Sequence, residues 1–393
     1  MGQTQLDSWL AQDTATGNWD GIRDELDQSG ITPALNYTTN VLGNPIGGQS
    51  QSTAYSALLY GSLSFDLEKL VGLKGSSFFA AGSWSDGRDL SADVIGNFFT
   101  ASEIFTGDSV RLSETYFRQS FWQGLATAKI GRLAPGNDFA TSPIYLNYVS
   151  GAINANPLSI PTNIPSFAED PTAQWGVQAT VKSPSEIYFS LGAYNADPSV
   201  QVDATHGIDF SFNPEDGVLS MAQLGYRPHS SQKTDGLPGH YALGIYYDSS
   251  DYSRLDDPSR VQSGNYGGYL MLDQMVYQEQ GVPGQQGLTP WIMLTLAPEE
   301  DKNTMPFAAY GGLLYRGLVP GRDNDISAVA IYYGQFSNDL VDQDYESVFE
   351  VNHRFQFGPW FYVTPQFQYI FNPGGTGEVS DAAVFGFEIS IDF

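Results

Sequence analysis

AAVFGFEISIDF, residues 382–393, alternates one residue at a time. Ala383, Phe385, Phe387, Ile389, Ile391 and Phe393 share one face of an extended chain. Ala382, Val384, Gly386, Glu388, Ser390 and Asp392 share the other. Successive side chains of a β-strand point to opposite sides, so a period of two marks a strand with one apolar and one small or polar face. The pattern recurs at 360–371, 240–248 and 186–194. In each, the second face carries Gly, Ala, Ser, Thr, Gln and Tyr rather than the Lys and Glu that cover a soluble sheet. A barrel in a lipid bilayer needs this arrangement. Apolar side chains meet lipid, small and polar ones meet a lumen, and aromatics gather at the two interfaces.

The composition agrees. The 393 residues are 14% aromatic and only 16% charged, with 42 glycines and no cysteine. Absence of cysteine excludes a disulfide scaffold, thiol catalysis and cysteine-ligated metal. With 44 acidic and 17 basic residues the formal charge is -27, which excludes a general nucleic-acid binder. No stretch approaches the run of about 18 apolar residues that marks a membrane-spanning helix. Met1, Gly2, Gln3 and Thr4 do not open a secretory signal.

Seventeen alternating runs can be marked between 32–42 and 382–393. Single-chain bacterial barrels have an even number of strands, with short turns at the periplasmic end and longer loops outside. Short connections fall at 68–75, 122–124 and 183–185, and long ones at 87–109 and 133–171. Counting from the two termini conflicts only between 195 and 240, and demoting 205–213 to part of a loop resolves the conflict. The expectation is therefore an all-β, transmembrane antiparallel barrel of sixteen strands over 32–393. A short helix in a periplasmic segment, 1–31, precedes it. Trp19, Ile22 and Leu26 give that helix one apolar face within 19–28, and Gly30 is placed to cap it.

Several stretches together carry a family resemblance. They are TGNWDGIRDELDQSGI at 16–31, YTTNVLGNPIGG at 37–48, FDLEKLVGLKG at 65–75, VRLSETYFRQSFWQG at 110–124 and KIGRLAPGNDFATSP at 129–143. Later come GLPGHYALGIYYD at 236–248, GNYGGYLMLDQMVY at 264–277, YGGLLYRGLVPGRDND at 310–325 and VTPQFQYIFNPGG at 363–375. In this order and spacing the chain resembles the carbohydrate-selective porins of the OprB family. Phe393 on an amphipathic last strand is similar to the closing residue of outer-membrane barrels. The resemblance implies a bacterial outer-membrane pore for small neutral sugars, a monomer or homotrimer in lipid and lipopolysaccharide, with outer loops folded inward.

Basic residues are scarce, so their clustering is informative. Arg88, Arg111, Arg118, Lys129 and Arg132 fall within 45 residues, interleaved with Asp86, Glu103, Asp108, Glu114 and Asp138. Guanidinium forks donate to sugar hydroxyls and carboxylates accept from them. Glu114, Tyr116 and Arg118 share one strand face, which should be luminal. Arg111 has the opposite parity and needs a bulge or strand end to join them. The expected constriction comprises Arg88, Arg111, Glu114, Tyr116, Arg118, Arg132 and Asp138. Trp84 is a further candidate, either as a sugar platform or as an interface aromatic. The nearly uncharged stretch 143–167 suits a loop packed inside the lumen. The acidic excess is expected on rims and loops. Asp248, Asp251, Asp256 and Asp257, and Asp339, Asp342, Asp344 and Glu346, would there be solvated or hold Ca²⁺, although the spacing fits no EF-hand. Enzyme readings find little. His206, His229, His240 and His353 form no HExxH, and no GxSxG is present.

Overall fold

The computed structural model describes residues 3–105, 107–229, 236–279 and 286–393. Sixteen long strands form one antiparallel sheet. They are β1 (Ile31–Ile46), β2 (Thr53–Asp66), β3 (Ser76–Gly87), β4 (Ser109–Phe121), β5 (Ala126–Leu133), β6 (Gln174–Lys182), β7 (Ile187–Asn195) and β8 (Val218–Tyr226). Then follow β9 (Gly239–Ser253), β10 (Val261–Gln274), β11 (Gly287–Leu296), β12 (Phe307–Arg316), β13 (Ile326–Gln335), β14 (Tyr345–Gly358), β15 (Phe361–Phe371) and β16 (Ala382–Asp392). A two-residue piece, Tyr277–Gln278, continues the β10 edge against β11. Each strand pairs with the next, and β16 returns to β1 from Asn36↔Asp392 to Ile46↔Ala383. Closure leaves no exposed sheet edge, which a bilayer requires because lipid offers backbone groups no partner. The alternation also predicts periplasmic connections at 228–239 and 279–287, of which 230–235 and 280–285 lie outside the described residues.

The burial pattern is inverted relative to a soluble protein. On β16, Phe385 and Phe387 are 49% and 40% exposed, while Glu388 and Ser390 are 4% and 3% exposed. Leu243, Ile245 and Tyr247 on β9 are likewise exposed, and His240, Ala242, Tyr246 and Asp248 buried. The alternation at 382–393 therefore reports a lipid-facing surface and a filled interior. Glycine has a definite use inside. A Cβ at Gly244 would lie 2.0 Å from the Tyr269 ring, and one at Gly225 would lie 2.2 Å from Tyr188. Each glycine makes room for a tyrosine beside it, so the two abundant residue types are structurally coupled.

The N-terminal segment lies at the end of the barrel that carries the short turns. A single 3-10 turn, Trp19–Gly21, leads into α-helix Ile22–Ser29, and Gly30 caps it at φ 100 through its N–H to Asp27 and Leu26 carbonyls. An earlier helix, Gln3–Leu10, has no counterpart in the sequence reading. Trp9 packs on Trp360 at 4.4 Å, and Arg23 donates to the Phe393 carbonyl at 2.9 Å.

Two irregularities arrange the interior. Between Ala80↔Thr115 and Gly82↔Leu112, β4 advances three residues while β3 advances two. This bulge, at Ser113 and Glu114, shifts the parity of β4. Arg111, Glu114 and Tyr116 thereby share the inner side, which alternation alone forbids. The second irregularity follows from the shortness of β5. Its last pair with β4 is Thr115↔Arg132, so residues 109–114 extend past it. The 196–217 loop fills the gap. His206 O accepts the Leu112 N–H at 2.9 Å, and the His206 Nδ1 lies 2.9 Å from Val110 O. Ile208, Phe210 and Phe212 then stand exposed, 66%, 48% and 61%. The alternation at 205–213 is thus real, but the segment patches the wall instead of spanning it.

Candidate pore constriction

Two loops enter the barrel. The first, 88–108, and the second, 134–173, bury Phe99, Phe139, Tyr145, Tyr148, Ile153 and Phe167 almost completely. Their rings meet the inner wall: Tyr145 and Tyr148 lie 5.2 and 5.3 Å from Trp291, and Phe99 lies 5.9 Å from Tyr310. The uncharged 143–167 stretch is therefore interior, as its composition suggested. An inward loop carries backbone amides that need acceptors. Two wall carboxylates supply them. Glu346 accepts Phe98, Phe99 and Gly374 N–H at 2.7, 2.6 and 2.6 Å. Glu350 accepts Val149 and Ser150 N–H at 2.7 and 3.3 Å, plus the Tyr332 hydroxyl at 2.8 Å. Glu114 does the same at the root of the second loop, accepting Ala134 N–H at 2.9 Å and Asn137 Nδ2–H at 3.0 Å.

The structure brings together only part of the expected constriction set. Tyr116 stacks on Phe79 at 5.1 Å, and Lys129 Nζ lies 5.0 Å above the Tyr116 ring. Lys129 is ion-paired to Asp138 at 2.7 Å. Arg118 is exposed on the same inner face, beside Lys129 and Asp138 along one polar chamber. Arg111 is 3% exposed on the inner side of β4, with Gly207 of the patching loop seated against it.

Two members are corrected, and Trp84 takes the interface reading. Arg88 stands on the exposed rim, paired with Asp93 at 3.0 Å, because β3 ends one residue before it. Arg132 is 1% exposed, and its guanidinium donates to the carbonyls of Gly207, Asp209 and Ala173. It clamps the patching loop through these three carbonyls. Trp84 is 39% exposed and has the parity opposite to buried Ser83 and Ser85, so it faces outward at the loop end.

The placement of the acids is corrected in part: Asp251, Asp256, Asp342 and Asp344 are exposed as expected, but others are not. Glu103, Glu114, Glu346, Glu350, Glu388 and Asp248 lie inside the barrel, where they hold loops or line the wall. Within the second loop, burial pushes the Glu169 carboxyl up to about 8. Burial also raises Asp170 to about 6, opposed by the Ser113 hydroxyl that it accepts. Of the remaining outer acids, Asp256 is taken by Arg254 at 2.7 Å and Asp257 by the Ser259 hydroxyl at 2.7 Å. Among the described residues no group of three or more His, Asp or Glu could hold a metal ion.

Sequence reasoning missed the β14–β15 wall. Arg354 donates to Leu146 O at 2.7 Å and stacks on Tyr362 at 4.1 Å, near Glu388. A signal was present: an acid or amide interrupts otherwise apolar strands every second or fourth residue, at Glu346, Glu350, Gln366, Gln368 and Glu388.

A barrel closed by sixteen strands, narrowed by two loops and lined with hydroxyls, amides and a few charges is a pore. The family model for carbohydrate-selective porins, OprB family, matches residues 50–393. The chain belongs to the OprB family of carbohydrate-selective porins. This porin is 27% identical to Porin B of Pseudomonas aeruginosa over 96% of its own length and 90% of that protein. It is 23% identical to a putative porin, QuiX, of Acinetobacter baylyi, over 96% and 92% of the two chains. The high-pH structure of Pseudomonas putida OprB superposes with a TM-score of 0.90 at 24% identity, covering 98% of this chain and 99% of that one. The low-pH structure of the same protein gives 0.65. This porin is thus a Gram-negative outer-membrane channel for passive, selective diffusion of small carbohydrates.

Proposed function

We propose that neutral sugars are selected along a hydrogen-bonding lane on the inner faces of β14 and β15, with Tyr116 and Arg118 contributing from β4. The observation that carries this reading is a set of buried side-chain atoms without protein partners on two neighbouring strands. They are Asn352 Oδ1, Thr364 Oγ1, both amide atoms of Gln366, and Gln368 Oε1. Asn352 and Gln366 are cross-strand neighbours. Buried polar groups without protein partners are costly, so this wall favours a solute that brings hydroxyls to it. Amides and a hydroxyl bind such groups without the Coulombic trap that a fixed charge sets for an ion, so entry and release stay balanced. The Arg354–Tyr362 stack adds an aromatic plane at the same wall.

Liposome swelling with sugars of graded size tests the reading. Native protein admits monosaccharides faster than amino acids of equal mass, and Gln366→Leu removes that advantage. Equal entry of sugars, amino acids and salts would overturn the reading. In planar bilayers Arg118→Ala changes the block of ion current by sugar; an unchanged block removes Arg118 from the lane. Among small ions, the interior carboxylates support a preference for cations once they ionise.

A further inference from the structure

The lumen holds a second polar region, which shares Arg118 with the lane but lies away from the β14–β15 wall. At the short-turn end, the inner faces of β4 to β8 and the root of the second loop enclose a chamber of about 800 Å³. Its floor is the turn Ser183–Glu186. Four basic side chains line it: Arg118, Lys129, Lys182 and Arg227. Among the described residues only two carboxylates do, Asp138 and Glu186. In a chain of net charge -27, this local reversal is the exception.

Both carboxylates are already engaged. Asp138 is held by Lys129 at 2.7 and 3.0 Å, and Glu186 accepts the His229 backbone N–H at 2.8 Å. Among the described residues Arg118, Lys182 and Arg227 form no ion pair. Arg227 lies over the Tyr188 ring at 5.2 Å, which orients its guanidinium without neutralising it. Between these charges the wall is neutral and hydrogen-bonding. Gln178 Nε2 donates to Thr180 at 2.7 Å, Thr180 and Ser190 hydroxyls meet at 2.8 Å, and Gln223 Nε2 donates to Tyr188 at 2.7 Å. A space of this size, with cations on its rim and hydroxyl and amide groups on its wall, matches one ligand chemistry. That ligand carries one carboxylate and several hydroxyls.

We propose that this chamber is a retention site for sugar acids, aldonates and uronates, giving the channel a second substrate class beside neutral sugars. Lys182 and Arg227 take the carboxylate, while the Gln178, Thr180 and Ser190 row takes the hydroxyls. Guanidinium binds carboxylate in a fixed fork, and ammonium adds a mobile point charge. The proposal rests on the reading of the chain as a sugar channel, but not on the β14–β15 lane.

The test uses the full-length protein in planar bilayers. Block of ion current is measured with glucuronate, gluconate and glucose added from the short-turn side. The expected result is half-block by glucuronate and gluconate at about tenfold lower concentration than by glucose, equivalent to about 1.4 kcal/mol. Lys182→Gln with Arg227→Gln brings the three solutes within about twofold, whereas Gln366→Leu changes glucose block and leaves the acid preference in place. Equal block by glucose and glucuronate in the native channel would overturn the proposal, as would a preference that survives the double variant. Sodium chloride and sodium benzoate are run in parallel. Block by benzoate as strong as by glucuronate would show attraction of anions without recognition of hydroxyls, and would also overturn it.

Discussion

Glu350 on β14 accepts the backbone N–H of Val149 at 2.7 Å, joining the barrel wall to a loop residue 201 positions earlier. The same carboxylate takes Ser150 N–H and the Tyr332 hydroxyl. An inward loop is held in this pore by acceptors projecting from the strands it crosses, because its own amides have no sheet to join.

Glu350→Ala leaves the two loop amides and a tyrosine hydroxyl without their acceptor inside the barrel. Unmade buried hydrogen bonds cost roughly 1–3 kcal/mol each. The second loop should loosen, and single-channel recordings should show higher conductance with added noise. Recordings indistinguishable from native would mean that apolar packing alone holds the loop.

Arg132→Ala removes the donor shared by the Gly207, Asp209 and Ala173 carbonyls. The expected loss is at least about 3 kcal/mol, given that hydrogen bonds to charged groups contribute about 1.5–3 kcal/mol each. It is read from the temperature at which the folded band disappears in heat-modifiability gels. Arg132→Lys should recover less than half of the loss, since one ammonium cannot reach three carbonyls in the guanidinium plane.

Phe387 and Glu388 are chain neighbours on opposite faces near the middle of β16, one exposed and one buried. Phe387→Lys places a charge against lipid and should cost about 2–4 kcal/mol in folding titrations into bilayers. Glu388→Gln should fold normally and alter ion selectivity instead. The reverse pair of outcomes would mean that the faces are misassigned.

Ion selectivity should depend on pH through the second loop. Glu169 titrates at about 8 and Asp170 at about 6, both raised by burial. The folded state binds these protons more tightly than the unfolded chain. Ionisation therefore works against loop packing, and stability falls as pH rises from about 4 toward 8. Over the interval from 6 to 8 the lumen gains negative charge, so the cation-to-anion permeability ratio from reversal potentials should rise. Glu169→Gln with Asp170→Asn should reduce that rise; a slope equal to native would assign it to other interior carboxylates.

Much of the architecture is legible in one dimension. The alternation of Phe385, Phe387, Ile389 and Ile391 against Gly386, Glu388 and Ser390 fixes which face meets lipid, since side-chain direction along a strand has a period of two whatever the rest of the chain does. Seventeen alternating runs follow from that period, the even-number rule and the loop lengths bring them to sixteen, and the capped helix before β1 follows from Gly30. The inward course of 143–167 is readable because an uncharged 25-residue segment has nowhere soluble to go.

The constriction is less legible, and particular residues show why. A single bulge at Ser113 and Glu114 reverses the parity on which Arg111 was judged, and a bulge is one extra residue with no distinctive composition. Arg132 looks like its neighbour Lys129 in sequence, yet one clamps three backbone carbonyls and the other pairs with Asp138 at the root of the second loop. Segment 205–213 carries a strand pattern that local sequence cannot separate from a spanning strand. Only the early end of β5 makes room for it as a patch.

Sequence alone determined the barrel and its inverted faces, because lipid and backbone hydrogen bonding act on every strand in the same local way. Tertiary structure decided which charges reach the pore. Glu346 and Glu350 meet loop amides from remote parts of the chain inside the barrel, and Arg88 is left on the rim. Charge placement depends on partners that only closure of the barrel brings together.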